Sequence, residues 1–79
     1  MRTTLYVGGF ASNTAEAALR ALFGEFGEIA EMRLTRRESS PRGLGFAYVT
    51  FTTVEAAEAA LSLNGRELAG LPLRVDFAR

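Results

Sequence analysis

Residues 45–51 read Gly-Phe-Ala-Tyr-Val-Thr-Phe, and the chemistry they offer is that of flat rings. In a strand, alternate side chains face opposite sides of the sheet. Phe46 and Tyr48 then share one side with Leu44 and Thr50, while Ala47, Val49 and Phe51 share the other with Gly45. A half-covered strand alternates apolar with polar residues, but this one is apolar on both sides. Either protein covers both sides or one set of rings awaits a ligand. Tyr6, in the short β-favouring run Leu5-Tyr6-Val7, adds a third ring to the question. Rings held flat on a sheet can stack on unpaired nucleobases. Each stack contributes about 1–3 kcal/mol and tolerates any base, because every base has a π-face. Preference among bases must then come from polar groups beside the rings that reach base edges.

Other chemistry is poorly supplied. The chain has no cysteine and no histidine. That removes thiolate metal sites and disulfides, together with the commonest general base and metal ligand. No serine or threonine has an evident activating base. Gly43 and Gly45 resemble the start of a nucleotide-binding loop, but the third glycine is missing and a strand follows rather than a helix. The expectation is a protein that is not an enzyme and that needs no metal or cofactor.

The rings need elements to position them. With 79 residues, 48% of them hydrophobic, the chain is read as a single domain spanning 1–79 with one modest core. No apolar run approaches the ~20 residues of a membrane span, and the first residues, Met-Arg-Thr-Thr-Leu-Tyr, lack a secretory apolar stretch. The expectation is an intracellular protein, nuclear or cytoplasmic, with no membrane partner. A first strand is predicted over about Thr4 to Gly8. A helix follows, with Leu19, Leu22, Phe23 and Phe26 at helical spacing and Ala15 and Ala18 widening the stripe. Asn13 with Glu16 resembles a capping box, Thr14 being the other candidate cap, and Gly27 is the predicted terminator. Ile29, Met32 and Leu34 mark a second strand, Arg36 to Gly43 a polar loop, and 44–51 a third strand. Thr52 with Glu55 resembles a second capping box. Ala56, Ala59, Ala60 and Leu63 form the second helical stripe, closed by Asn64-Gly65. A turn-rich connector from Arg66 to Pro72 precedes a last strand with Leu73, Val75 and Phe77.

The order is strand, helix, strand, strand, helix, strand, two split βαβ units. Right-handed crossovers put both helices on one side of the sheet. Two helices of about ten to thirteen residues can cover one face of four strands and leave nothing for the other. The predicted core face holds Leu5, Val7, Ile29, Met32, Leu34, Ala47, Val49, Phe51, Leu73 and Val75. The bare face holds Tyr6, Phe46 and Tyr48.

These residues carry a resemblance to the RNA-recognition motif family. Leu5-Tyr6-Val7-Gly8-Gly9-Phe10 is similar to its hexamer, with Gly9 where asparagine is common and Phe10 where leucine is. Leu44-Gly45-Phe46-Ala47-Tyr48-Val49-Thr50-Phe51 fits every specified position of its octamer except the first, normally basic, which is Leu44 here. A register beginning Arg42-Gly43 restores the basic residue but loses two aromatics. The resemblance covers nearly the whole chain. It implies an α+β fold of the ferredoxin-like βαββαβ type, a four-stranded antiparallel sheet packed on two helices. It also implies that Tyr6, Phe46 and Tyr48 contact single-stranded RNA. With Leu44 in the basic place, Arg42, two residues upstream on the same face, is the candidate stand-in.

Nine acidic residues balance nine arginines, and there is no lysine. A neutral total counts against a strongly electrostatic binder, so placement matters. Arg2, Arg33, Arg36, Arg37, Arg42, Arg74 and Arg79 fall on the predicted sheet face, the loop after strand two or the chain ends. Glu16, Glu25, Glu55 and Glu58 fall on the helices, whereas Glu31, Glu38 and Asp76 share the arginine side. Arg33, Arg42, Arg74, Asp76 and Arg79 are the candidates for holding the RNA backbone or reading base edges, Asp76 and Glu31 as acceptors for base amino groups. Binding is expected to be modest and dominated by stacking, with tighter binding drawing on other proteins or further domains of a longer chain. Single-stranded DNA is a second candidate ligand, since no residue is clearly aimed at a 2′-hydroxyl. The alternative function is a protein-interaction module that uses the sheet or the helical face. One subfamily of the resembled fold binds tryptophan-bearing peptides through Arg-x-Phe after the second helix. Here that place reads Arg66-Glu67-Leu68, without the aromatic.

Overall fold

The structure, a computed structural model, describes residues 2–36 and 44–79. Arg42 and the rest of the expected loop from Arg37 to Gly43 lie outside the described residues, as does the side chain of Arg36.

The element order is β1 (Thr4–Ala11), α1 (Glu16–Gly24), β2 (Ile29–Arg36), β3 (Leu44–Phe51), α2 (Val54–Ala60) with a 3₁₀ turn (Leu61–Leu63), β4 (Glu67–Leu68), β5 (Leu71–Pro72) and β6 (Arg74–Phe77). Four strands form one antiparallel sheet in the order β2-β3-β1-β6. The two ring-bearing strands, β1 and β3, are therefore central. The strand–helix order and the two-layer α+β architecture match the expectation. The connector differs, because β4 and β5 pair as a small separate hairpin. Its turn residues Ala69 and Gly70 both have positive φ, 53° and 83°, as a two-residue type I′ connection requires.

The helices are shorter than expected, nine residues for α1 and seven for α2, and their caps differ. Ala15 precedes α1 without a side-chain cap. The Asn13 and Thr14 candidates instead lie in the turn leaving β1, where the Thr14 N–H donates to the Ala11 carbonyl. Thr53, not Thr52, caps α2, its hydroxyl accepting from the Ala56 N–H at 3.1 Å. Gly27 stands beyond the end of α1, and a Cβ there would lie 2.5 Å from the Ala56 Cβ. Its missing side chain lets the loop after α1 touch α2.

All ten residues expected on the core face are buried or packed against the core. From the helices come Leu19, Phe23, Ala56, Ala57, Ala60 and Leu63. Ala59, expected inside, is exposed, as are Ala15 and Ala18, and Ala57 takes its place. Phe10 is a core residue that the sequence pattern does not reveal, fully buried. Strict alternation would put it beside Tyr6 on the bare face. The β1–β3 register passes from Gly8↔Phe46 to Phe10↔Gly45, so Gly9 is an inserted residue with φ of 86°. One extra residue reverses the facing of every later side chain in the strand. Phe10 then fills the space over Gly45, where a Cβ would meet its ring at 2.8 Å. A second irregularity between Ile29 and Glu31 lets Ile29, Met32 and Leu34 share the core side despite their odd spacing.

Candidate nucleic-acid interface

On the side of the sheet away from the core, the strand register lines up three rows. The middle row is Arg33, Tyr48, Tyr6 and Asp76, one residue from each of β2, β3, β1 and β6. The next is Thr35, Phe46, Gly8 and Arg74, and on the other side lie Glu31, Thr50 and Thr4. The Thr4 and Thr50 hydroxyls are 2.9 Å apart. Tyr48 is 39% exposed, the one large hydrophobic residue so exposed among the described residues. Tyr6 and Phe46 are half-buried, and Arg33, Thr35, Arg74 and Asp76 are exposed.

The three rings touch one another. Tyr6 and Phe46 stack with centroids 6.1 Å apart and planes 27° from parallel. Tyr48 meets Tyr6 at 5.9 Å and Phe46 at 6.1 Å, edge-on to both. These are the offset and edge-to-face geometries that ring quadrupoles favour. Gly8 makes the arrangement possible. A Cβ at Gly8 would lie 2.5 Å from the Tyr6 hydroxyl oxygen and 2.9 Å from Cζ, so the Tyr6 ring rests along its own strand over Gly8, against Phe46. Part of the partial burial of Tyr6 and Phe46 is therefore ring against ring.

The outer edge of β6 is finished by side chains. The Ala78 N–H donates to the Thr4 carbonyl at 2.9 Å, which makes the Tyr6–Asp76 row one of the hydrogen-bonded pairs and turns the N–H groups of Val75 and Phe77 outward. Val75 donates to Asn64 Oδ1 at 2.9 Å and Phe77 to Asp76 Oδ1 at 2.7 Å. Arg79 Nη2 stands 3.9 Å from Asp76 Oδ2, both side chains well exposed, a contact of little energetic weight. Tyr6, Tyr48, Asn64, Arg74, Asp76 and Arg79 border a shallow depression of about 430 Å³. A second one, of about 550 Å³, runs over Phe46 to Leu44 and Gly9.

The structure thus brings Tyr6, Phe46, Tyr48, Arg33, Arg74, Asp76 and Arg79 to one surface. The Arg2 guanidinium stands 5.1 Å from the centre of the Phe77 ring, a cation–π distance, and Phe77 also lines the first depression. The sequence marks Asn64 only as a helix stop, and nothing in its local pattern points to the depression. Leu68 packs against the core, so the position where a peptide-binding aromatic would stand is occupied structurally. Among the described residues no group of histidine, cysteine, aspartate and glutamate could hold a metal ion, and no helix is long and apolar enough to cross a membrane.

A family model described as RNA recognition motif matches residues 5–74. The glycine-rich RNA-binding protein 5, mitochondrial, of Arabidopsis thaliana is 38% identical over 74 residues, covering 94% of this chain and 26% of that protein. The Sex-lethal RNA recognition domains 1 and 2 from Drosophila melanogaster superpose with a TM-score of 0.84 at 31% identity, covering 98% of this chain and 50% of theirs. A Sxl-lethal protein/RNA complex gives 0.86 at 30% identity, covering 100% of this chain and 48% of the other. The chain spans between 15% and 26% of the length of three curated relatives it matches.

Proposed function

The chain belongs to the RNA recognition motif family, and we propose that it binds a short single-stranded stretch of RNA on the open side of its sheet. The observation that carries this reading is the trio of touching rings on the two central strands, with Tyr48 exposed and no buried polar or charged residue among those described. The Sxl-lethal protein/RNA complex, 30% identical over the whole chain, supports RNA as the ligand class. Tyr6 and Tyr48 each stack on a base, and Phe46 packs against a base or the sugar between them. Arg33, Arg74 and Arg79 pair with phosphates or reach base edges, since a guanidinium can do both. Arg42 is assigned the same role from its place in the sequence. Residues 1–79 act as one binding unit of modest affinity, and single-stranded DNA binds as well.

The test is a titration of a labelled random single-stranded RNA pool, monitored by fluorescence anisotropy, against wild type and Tyr6→Ala, Phe46→Ala and Tyr48→Ala. Each substitution is expected to weaken binding by about five- to a hundredfold, the loss of one stack, with the circular dichroism spectrum unchanged. Wild-type affinity in all three variants would overturn the reading.

A further inference from the structure

We propose that a groove beside the rings, walled by Leu44 and by Leu71 and Pro72 of the β4–β5 hairpin, holds one further nucleotide of the bound strand by apolar contact. The inference rests on the RNA-binding reading above and extends it past Phe46.

Leu44 lies two residues before Phe46 in β3 and so faces the same open side. It pairs with Ala11, just past the Gly9 insertion in β1. The hairpin is seated directly on that insertion: a Cβ at Gly9 would lie 2.7 Å from the Pro72 carbonyl oxygen. Leu71 and Pro72 therefore form a second wall, with bare Gly9 between the walls, around a depression of about 390 Å³. The fold makes little use of these side chains. Leu44 and Leu71 are half-buried and Pro72 is exposed. Leu68 of the same hairpin packs against the core, but Leu44 and Leu71 are not among the residues that do. Apolar surface gathered outside the core marks a contact site.

The occupant follows from what adjoins the groove. Gly9, Leu44 and Arg74 border both this depression and the one over Phe46 and Tyr48, so the two form one continuous path. Arg74 is the single charged residue of the groove's lining. A strand running off the Phe46 ring past Arg74 enters the groove, with the joining phosphate on the guanidinium. Beyond Arg74 the lining offers no side chain that can hydrogen-bond a base. The face and sugar of the nucleotide rest on aliphatic carbon, so it adds affinity through buried apolar area and without preference among bases.

The test compares two oligouridines by fluorescence anisotropy, one just long enough to cover the rings and one extended at both ends. Wild type is expected to bind the longer strand more tightly. Leu71→Ser is expected to weaken the longer strand by about fivefold, the loss of part of one leucine's apolar contact. The shorter strand should bind as before, and the salt dependence of both should stay the same. Leu44→Arg is expected to steepen the salt slope of the longer strand by about 0.7, one added phosphate contact. Urea unfolding checks that the hairpin holds in Leu71→Ser, and Pro72→Ser repeats the test at an exposed position. A length preference untouched by both serine variants overturns the inference, and is the result expected if a protein occupies the groove instead. Equal losses on both strands, or an unchanged salt slope in Leu44→Arg, overturn it as well. Tyr48→Ala separates the two levels: if it weakens both strands while Leu71→Ser and Pro72→Ser change neither, only the groove assignment falls. If Tyr48→Ala weakens neither, the binding surface itself is wrong.

Discussion

Replacing Gly8 with alanine should separate folding from binding. Gly8 lies in a central strand on the open side of the sheet, between Phe46 and Arg74. Its backbone is extended, so alanine meets no conformational strain there. Alanine in a strand interior is favoured over glycine by about 0.5–1 kcal/mol through backbone entropy. Against this, the new methyl group would occupy the point 2.5 Å from the Tyr6 hydroxyl oxygen. The ring must swing away, which forfeits the stack with Phe46, about 0.5–1.5 kcal/mol. The two terms nearly cancel, so the midpoint of thermal unfolding should move by less than about 5 °C for a domain of this size. Binding has no such compensation. With the Tyr6 ring displaced from its resting place, RNA affinity should fall about tenfold, within the range for one lost base stack. Urea or thermal unfolding and fluorescence anisotropy on the same sample read both quantities. Wild-type affinity in Gly8→Ala would refute the claim that Gly8 seats the Tyr6 ring for stacking. Loss of the folded state would refute the claim that the ring can yield into open space.

Three other perturbations probe the core, the hairpin and the charges. Phe10→Ala should destabilise the fold by about 3–5 kcal/mol in urea unfolding, the usual cost of emptying a fully buried phenylalanine site, whereas Tyr6→Ala should cost far less. Ala69→Gly should stabilise by up to about 1 kcal/mol, because Ala69 holds φ of 53° where a side chain is strained and glycine is not; a lower urea midpoint would contradict the type I′ assignment. The logarithm of RNA affinity should fall with the logarithm of salt concentration at a slope of about −3, four phosphates at roughly −0.7 each for a single strand, counting Arg33, Arg42, Arg74 and Arg79. A slope steeper than about −4 would show that phosphate contacts outweigh stacking.

Much of the architecture is legible in the chain because the strands keep their alternation wherever the ladder is unbroken. β3 runs without interruption, so the opposite facings of Phe46 and Tyr48 against Ala47, Val49 and Phe51 can be read directly. Tyr6 precedes the Gly9 insertion, so its facing can be read as well. Phe10 comes after the insertion and cannot be placed by counting in twos. The role of Gly8 is hidden for a different reason, since a glycine beside another glycine reads as the end of a strand. Here the first glycine is the bed for a ring and the second is the bulge. The β4–β5 hairpin escapes notice because Ala69 stands where asparagine or glycine would signal such a turn. Asn64 and Asp76 become visible as oriented groups only when the outer edge of β6 shows which N–H groups need partners.

The chain contains two tyrosines and no tryptophan, and both tyrosines lie in the middle row of the open face. Intrinsic tyrosine fluorescence therefore reports on that surface and nowhere else. Titrating the unlabelled protein with single-stranded RNA should quench the emission progressively to saturation, with the same midpoint as anisotropy of a labelled strand. Saturable binding by anisotropy with tyrosine emission unchanged would place the RNA elsewhere on the molecule.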